Sequence, residues 1–441
     1  MKIDKIINFS LSKKFDINFL YQNNIIPIHQ ENLFVLVACV VPIQKEKLQY
    51  VFRKPIKFEI QDKTQIQKNL LDIKYKQDIY DYSCKFLDKQ IINETKLVEK
   101  IILNIISLCI DKNSSDIHIQ SQENCCLFRY RVDGDLLDFI RLDSKIIKAT
   151  SSVLKLKAGL NISINRTPQD GSFGLNIENK KYDFRCSFVP NVYGESIVIR
   201  LLKQNDIQYS LDKLGFENTD KIKHTLNQKS GLVFITGATG SGKTTSLYAI
   251  LNYLNKENKK IITIEDPVEY KMENIVQIQI NEEINLSFEN ILRNILRQDP
   301  DIIMIGEIRD EISLKLAMSA SLTGHLVLTT MHTNDAIDTI VRAINLKAKP
   351  YMISSSLRLI ISQKLSKKVC VYCLKKGCEK CNWTGFAGRV MISESLFVNN
   401  KLKTYIEKNY KKTKLIKKLK NSYETITQKT QELIKKGVIV E

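Results

Sequence analysis

The sequence predicts an α/β protein: a large domain built on a parallel sheet with helices on both faces, preceded by a smaller α+β domain and a short N-terminal domain. Three observations predict it. At 441 residues the chain is too long for one ordinary core, since domains usually run to roughly 100–200 residues, so two or three folded units are expected. In the second half, the short β-branched runs Leu232–Thr236, Ile261–Glu265, Asp301–Ile305 and His325–Thr330 alternate with helical patterns, as happens when both faces of a parallel sheet are covered. Hydrophobic residues make up 43% and charged residues 26%, a balance that supports real cores and excludes the disordered class.

Residues 1–85 read as a small, separate N-terminal domain with nothing catalytic in it, with a strand-like run at Asn32–Val41 ending at Pro42 and a short helix at Thr64–Tyr75. The central α+β domain, residues 92–203, opens with the helical pattern of Leu97, Ile101, Ile105 and Cys109. It continues through the strand-like stretches Asp116–Gln120, Leu127–Val132 and Ser196–Leu202. The polar stretch Lys203–Asp212 reads as a linker into the third domain, residues 212–441. There, Phe288, Ile291, Leu292, Ile295 and Leu296 recur at helical spacing and predict an amphipathic helix. The tail from Asn399 to Glu441 carries twelve Lys and four Glu and reads as helical and exposed, either a solvated face or one that meets a membrane or an acidic partner.

Lys and Arg number 67 against 48 Asp and Glu, a net charge of +19 that favours anionic partners such as lipid surfaces, nucleic acid or nucleotide phosphates. The lysines are scattered along the whole chain, so a solvated surface is the simpler reading and direct nucleic-acid binding is not expected. Met1–Ser10 has no long apolar core, and the longest apolar run, Leu33–Val41, is too short to span a bilayer. A cytoplasmic protein is expected, whose ten cysteines are thiols or metal ligands rather than disulfides.

The chemistry begins at Gly237-Ala238-Thr239-Gly240-Ser241-Gly242-Lys243-Thr244-Thr245, which follows the run Leu232–Thr236 and leads into the helical pattern Ser246–Leu254. This is a P-loop in its required strand, loop and helix setting, and it identifies the large domain as a RecA-like P-loop NTPase. Its glycines let backbone N–H groups close around phosphate oxygens, Lys243 reaches the β- and γ-phosphates, and Thr244 ligates Mg²⁺. ATP and Mg²⁺ are therefore the expected ligands.

The run Asp301–Ile305 ends in Gly306-Glu307, which places an acid at the carboxyl end of a buried strand, where open α/β sheets hold their ligands. Glu307 is expected to hold Mg²⁺ or its water shell; the alternative is an acid that caps the next helix. Ile261–Glu265 brings Glu265, Asp266 and Glu269 to the same edge, and Glu269 is the first choice to orient or deprotonate the attacking water. The catalytic set is thus Lys243, Glu269 and Glu307. Arg293 and Arg297 lie one helical turn apart and either meet nucleotide phosphate or form a solvated basic face. His332 follows the last of the four runs and either senses the γ-phosphate or is a hydrogen-bonded core histidine, and His325 carries the same two readings.

Cys370, Cys373, Cys378 and Cys381 form two CxxC pairs within twelve residues, which suits tetrahedral Zn²⁺ in a structural role, since four protein ligands leave no open position.

With these motifs the chain resembles the secretion ATPases of type II secretion and type IV pilus assembly. The resemblance runs from Asn113 onward, through Ser115-Asp-Ile-His118, Arg129-Tyr-Arg-Val-Asp-Gly134, Pro168-Gln-Asp-Gly171, Gly194-Glu195 with Arg200, and the P-loop. It continues in Thr263-Ile-Glu-Asp-Pro-Val-Glu269, Leu292-Arg-Asn-Ile-Leu-Arg-Gln-Asp-Pro-Asp301, Gly306-Glu-Ile-Arg-Asp310, Thr323-Gly-His325, His332-Thr-Asn-Asp335 and the cysteines. It implies a homo-hexameric ring in which a central domain completes the nucleotide site. It further implies Arg185, Arg200, Arg293 and Arg297 as phosphate contacts, Glu265, Asp266, Glu269 and Glu307 as the family's acids, and His332 as its His-box residue. The implied partners are inner-membrane platform and docking proteins, met through residues 1–85 as the partner-docking domain, with the motor cytoplasmic and peripherally associated with the inner membrane through them. The tetracysteine is similar to that of assembly motors and unlike retraction motors. Two positions depart from the family: Ser172 and Lys364 stand where arginine is usual. The competing function is a DNA-handling ring ATPase such as a conjugation-type translocase, suggested by the basic charge and the shared core.

Overall fold

A computed structural model describes residues 6–88, 94–202, 210–284, 286–408, 412–419 and 423–440. Residues 203–209, most of the expected linker, lie outside it, as do positions 92 and 93 at the expected start of the central domain. The chain divides into two compact units, Met1–Gln204 with Cys370–Ala387, and Asn205–Val369 with Gly388–Glu441. Among the described residues no helix is long and apolar enough to cross a membrane.

The first unit carries two sheets. Strands β1 (Ile25–Gln30), β2 (Val35–Cys39) and β3 (Ile56–Ile60) form the smaller one in that order, β2 running antiparallel to β1 and parallel to β3. The strand expected over Asn32–Val41 is thus trimmed to its five central residues. The helix expected over Thr64–Tyr75 becomes two, Lys63–Leu70 and Ile73–Leu87, because Asp72 takes a left-handed conformation at φ 56° that no α-helix continues through. Asp62 starts the first by accepting the Thr64 N–H at 2.7 Å. Helix Glu94–Asp111 buries the stripe Val98, Ile101, Ile102, Ile105 and Cys109.

The larger sheet is antiparallel. It contains β4 (Asp116–Ser121), β5 (Cys125–Val132), β6 (Asp135–Asp143), β7 (Gln169–Ile177), β8 (Lys180–Asn191) and β9 (Gly194–Leu202), in the order β6-β5-β4-β9-β8-β7. One continuous cluster of buried side chains joins the two sheets, from Phe9 and Ile79 through Ile105 to Phe128 and Ile199. Helix Ile146–Lys157 is tied to the β8–β9 hairpin by a buried ion pair, Lys155 Nζ to Glu195 Oε1 at 2.7 Å, with Ser151 donating to the other carboxylate oxygen.

The second unit is built on seven strands: β10 (Gly231–Thr236), β11 (Ile261–Glu265), β12 (Ile275–Gln279), β13 (Ile302–Ile305), β14 (Leu326–Met331), β15 (Leu357–Val369) and β16 (Phe386–Phe397), ordered β12-β11-β13-β14-β10-β15-β16. From β12 to β15 every adjacent pair is parallel. Strands β10, β11, β13 and β14 are buried along their whole length, which is why their sequences are unbroken apolar runs rather than alternating ones. Because they run the same way, Thr236, Glu265, Ile305 and Met331 all end at one edge of the sheet, and the loops that leave that edge carry the motifs.

The lysine-rich tail differs from the exposed helix expected. Helices Asn400–Glu407, Lys412–Leu419 and Ile426–Lys435 are amphipathic, and Leu402, Ile406, Leu415 and Leu419 are buried in the core of the second unit. Glu394 of β16 accepts the Ala336 N–H at 2.6 Å and the Ile426 N–H at 2.7 Å, so one carboxylate pins the N-termini of two helices. Burial pushes its pKa up.

Candidate functional site

The P-loop leaves β10 and enters helix Lys243–Leu254. Gly237 has φ 147°, and a Cβ there would stand 2.2 Å from the Gln363 carbonyl oxygen, so only glycine lets the loop lie against β15. Gln363 Nε2 fixes the loop from that side by donating to the Ser241 carbonyl at 2.8 Å. The Lys243 ammonium folds back on the loop, donating to the carbonyls of Gly237 at 2.8 Å and Ala238 at 3.1 Å. Burial pushes its pKa down, and Glu307 opposes that shift. Ser241 Oγ is buried with no hydrogen-bond partner among the described residues. A cradle with an orphaned hydroxyl and a cation that donates to two of its own carbonyls fits phosphate oxygens.

Glu307 follows β13. Its position is set by Gly306, whose N–H donates to Ile264 at 2.8 Å and whose carbonyl accepts from Thr330 Oγ1 at 2.6 Å, so the acid is held between the ends of β11 and β14. Glu307 Oε1 lies 3.3 Å from His332 Nε2, and Oε2 lies 3.2 Å from Arg309 Nε. His332 Nδ1 is 3.4 Å from Lys243 Nζ. An ammonium only donates, so Nδ1 accepts and Nε2–H points at Glu307. The next helix, Glu311–Leu322, is capped by Asp310, whose side chain accepts the Ser313 N–H at 2.7 Å. Glu307 is therefore free of that duty.

The three acids after β11 separate by environment. Glu265 is 4% exposed and accepts from Thr263 Oγ1 at 2.6 Å, from Gln277 Nε2 at 3.2 Å and from the Tyr248 hydroxyl. The same hydroxyl accepts the Glu269 N–H at 3.3 Å, so Tyr248 links the buried acid to the backbone of the next one. Burial and the Glu265 carboxylate both push the Tyr248 pKa up. Asp266 is exposed and Glu269 half-buried, and all three acids line a cavity of about 620 Å³, together with Thr239, Gly240, Gly242, Lys243, Thr244, Thr245, Glu307 and His332.

Arg293 and Arg297 are not among the residues that line this cavity. Arg293 pairs with Glu289 at 2.5 Å one helical turn away, and Arg297 donates to Asn294 Oδ1 at 3.0 Å, both at the surface. Arg185 and Arg200 stand on β8 and β9 of the first unit, directly opposite each other. The row continues across neighbouring strands from Ser172 through Arg185, Arg200 and Asp116 to Arg131. Asp116 takes Arg200 at 2.9 Å and Arg131 at 3.9 Å, so three guanidinium groups share a row with one carboxylate. Ser172, where the family usually has arginine, ends that row beside Arg185.

Sequence reasoning passed over Tyr248, Arg309, Gln363 and Arg389. Arg309 and Arg389 line the cavity, and Tyr248 and Gln363 hold its walls. Arg309 lies inside the run Gly306–Asp310 and could have been read there. Tyr248 and Gln363 are polar residues in apolar segments, visible only once β11 and β15 are placed.

The tetracysteine segment, expected as an insert within residues 212–441, belongs to the first unit. There Lys112 Nζ donates to Asn382 Oδ1 at 3.2 Å and pairs with Asp72 at 2.9 Å. The four Sγ atoms lie within 4.8 Å of one another. Four sulfurs about 2.3 Å from a central ion stand about 3.8 Å apart in a tetrahedron. Cys370 and Cys378 are 3.8 Å apart, and Cys381 is 3.7 Å from both Cys373 and Cys378. Burial raises the pKa of Cys373, Cys378 and Cys381 alike, but at Cys381 the N–H groups of Cys378 and Gly385, each 3.3 Å from its sulfur, and the neighbouring thiols of Cys373 and Cys378 prevail and bring it down to about 7. Gly385 has φ 81°, and a Cβ would lie 2.6 Å from the Lys375 carbonyl, so the second knuckle closes only around glycine. Sulfur spacing and N–H donors together fit a tetrahedral thiolate-bound metal ion.

A parallel sheet with a phosphate-binding loop, a facing acid and a polar cavity at its carboxyl edge defines a P-loop ATP hydrolase. The chain belongs to the Type II/IV secretion system protein family, whose model matches residues 92–441. It is 33% identical over 431 residues to the Type II secretion system protein E of Klebsiella pneumoniae, covering 91% of this chain and 87% of that one. It is 40% identical over 328 residues to the Type IV pilus assembly ATPase PilB of Myxococcus xanthus, covering 67% and 58%. Among solved structures, the pilus retraction motor PilT with bound ADP matches with a TM-score of 0.59 at 30% identity, over 77% of this chain and 94% of that one. The family read from the motifs, the RecA-like fold and ATP hydrolysis are borne out.

Proposed function

We propose that this chain is a hexameric cytoplasmic motor, held at the inner membrane by platform and docking proteins, that spends ATP to assemble a type II secretion pseudopilus or a type IV pilus. The observation that carries the reading is the chain of contacts from Lys243 through His332 to Glu307 at one sheet edge, in a protein akin to Type II secretion system protein E and PilB.

Thr244 and Glu307 would hold Mg²⁺, which neutralises phosphate charge when bound. Lys243 exchanges the carbonyls of Gly237 and Ala238 for the β- and γ-phosphates. The N–H groups of the loop bind the remaining phosphate oxygens. Glu269 orients the attacking water and takes its proton, while Glu265, fixed by three donors, keeps Tyr248 and hence the Glu269 backbone in place. His332 holds Glu307 and reports on Lys243. Arg185 and Arg200 are further phosphate contacts, and Arg293 and Arg297 make theirs in the hexamer. Cys370, Cys373, Cys378 and Cys381 hold a structural Zn²⁺.

Mass spectrometry of proteins that co-purify from native cells with the tagged full-length chain, and with a version lacking residues 1–85, tests the load. An inner-membrane platform protein and pilin-like components, at least one lost on truncation, are expected. Nucleic acid and nucleic-acid-processing partners would assign the motor to DNA handling instead.

A further inference from the structure

The first knuckle of the tetracysteine element presents three large apolar side chains to solvent. Val371 is 77% exposed, Tyr372 74% and Leu374 73%. All three lie within one turn, closed by the Leu374 N–H donating to the Cys370 carbonyl at 2.9 Å, with Leu374 and Lys375 both in the left-handed region. Side chains left so open have most of their surface in solvent, so they form a projecting tip. The tip is held from behind by the cysteine cluster, in which Cys370 and Cys381 are buried.

Its surroundings are basic. Lys375, Lys376 and Lys380 are exposed on the same element, and Glu379 is the one acid between Cys370 and Ala387. A projecting aliphatic and aromatic tip ringed by lysines has the composition of an interfacial anchor: aliphatic groups enter the acyl boundary, a tyrosine sits at headgroup level, and ammonium groups meet lipid phosphates. A flat protein partner would leave such a tip only partly covered, whereas a bilayer surface closes around it.

We propose that the tetracysteine knuckle is a direct docking tip for an anionic membrane surface, with Val371, Tyr372 and Leu374 inserting and Lys375, Lys376 and Lys380 binding lipid phosphates. This deepens the reading of the chain as a membrane-associated motor and gives it a lipid contact of its own, independent of protein partners. The metal sets the rigidity of the tip rather than touching lipid.

The test is flotation of the zinc-loaded full-length chain with vesicles of phosphatidylglycerol and phosphatidylcholine, against vesicles of phosphatidylcholine alone, in parallel with ATP hydrolysis and metal content. Binding to the anionic vesicles only is expected. The triple variant Val371→Ser/Tyr372→Ser/Leu374→Ser, which changes no charge, is expected to weaken it about tenfold or more with zinc content unchanged, as is Lys375→Glu/Lys376→Glu/Lys380→Glu. Undiminished flotation of the apolar variant would overturn the proposal, because vesicle binding would then be a general property of a chain of charge +19. So would unchanged flotation with a loss of oligomeric mass, which would assign the tip to a second copy of the chain. Hydrolysis is read separately, so a failed tip leaves the ATPase reading standing, and an inactive enzyme that still floats would do the reverse.

Discussion

His332 stands between the two groups that an ATPase must coordinate, 3.3 Å from Glu307 Oε1 through one ring nitrogen and 3.4 Å from Lys243 Nζ through the other. The tautomer is forced by the lysine, which can only donate. Removing the ring leaves both charges in place but unlinked. His332→Ala is therefore expected to lower kcat by roughly tenfold to a hundredfold while changing nucleotide affinity far less, and steady-state hydrolysis with a separate nucleotide-binding titration checks the split.

Glu265 and Glu269 are neighbours in one motif, the first buried and the second half-buried, and substitution separates them. Tyr248→Phe strips a hydroxyl donor from the buried Glu265 carboxylate, which is expected to cost about 1–3 kcal/mol of stability in urea unfolding. Glu269→Gln lines the cavity and is expected to change stability by no more than about 0.5 kcal/mol while abolishing turnover.

Lys76 gives the first unit a pH signature. It is 3% exposed, and its ammonium donates to the carbonyls of Lys68 at 2.9 Å and Asn69 at 3.1 Å. Burial pushes its pKa down from 10.5 to about 7, with Asp72 opposing and Lys112 assisting. Between those two values the unfolded chain binds more protons than the folded one, so this group's contribution to stability rises with pH across that window and is lost as pH falls through about 7. Urea midpoints measured from pH 7 to 10 should rise more steeply for the wild type than for Lys76→Met.

The cysteine cluster is expected to hold one zinc ion per chain. Elemental analysis should find it, Cys370→Ser should lose it, and chelation should lower the melting temperature by roughly 5 °C or more, because the ion links two knuckles whose sulfurs otherwise make only weak contacts.

The site was legible in the sequence where chemistry and position coincide. Lys243, Glu269, Glu307 and His332 each follow an apolar run long enough to be read as a buried strand, and parallel strands must end at one edge. Arg293 and Arg297 were legible only as a helical pair: the spacing predicts a shared face, but the helix ends at Ile295 and leaves Arg297 beyond it. The edge strands β12 and β16, and β15 beside the latter, escaped notice because their partly exposed patterns mix polar and apolar residues. The lysine-rich tail misled for a related reason: charge dominates its composition, while Leu402, Ile406, Leu415 and Leu419 decide its packing. Placement of the cysteine segment in the first unit depends on contacts such as Lys112 with Asn382, 270 residues apart, which no local pattern carries.

Everything proposed for this chain depends on Glu307 and the P-loop forming an ATP-hydrolysing site. Phosphate release from ATP by the purified chain, with and without Mg²⁺, tests it most directly when set beside Glu307→Gln. Mg²⁺-dependent release that DNA does not stimulate is expected, reduced at least about a hundredfold in the variant, which still binds nucleotide. Equal release by wild type and variant would contradict it.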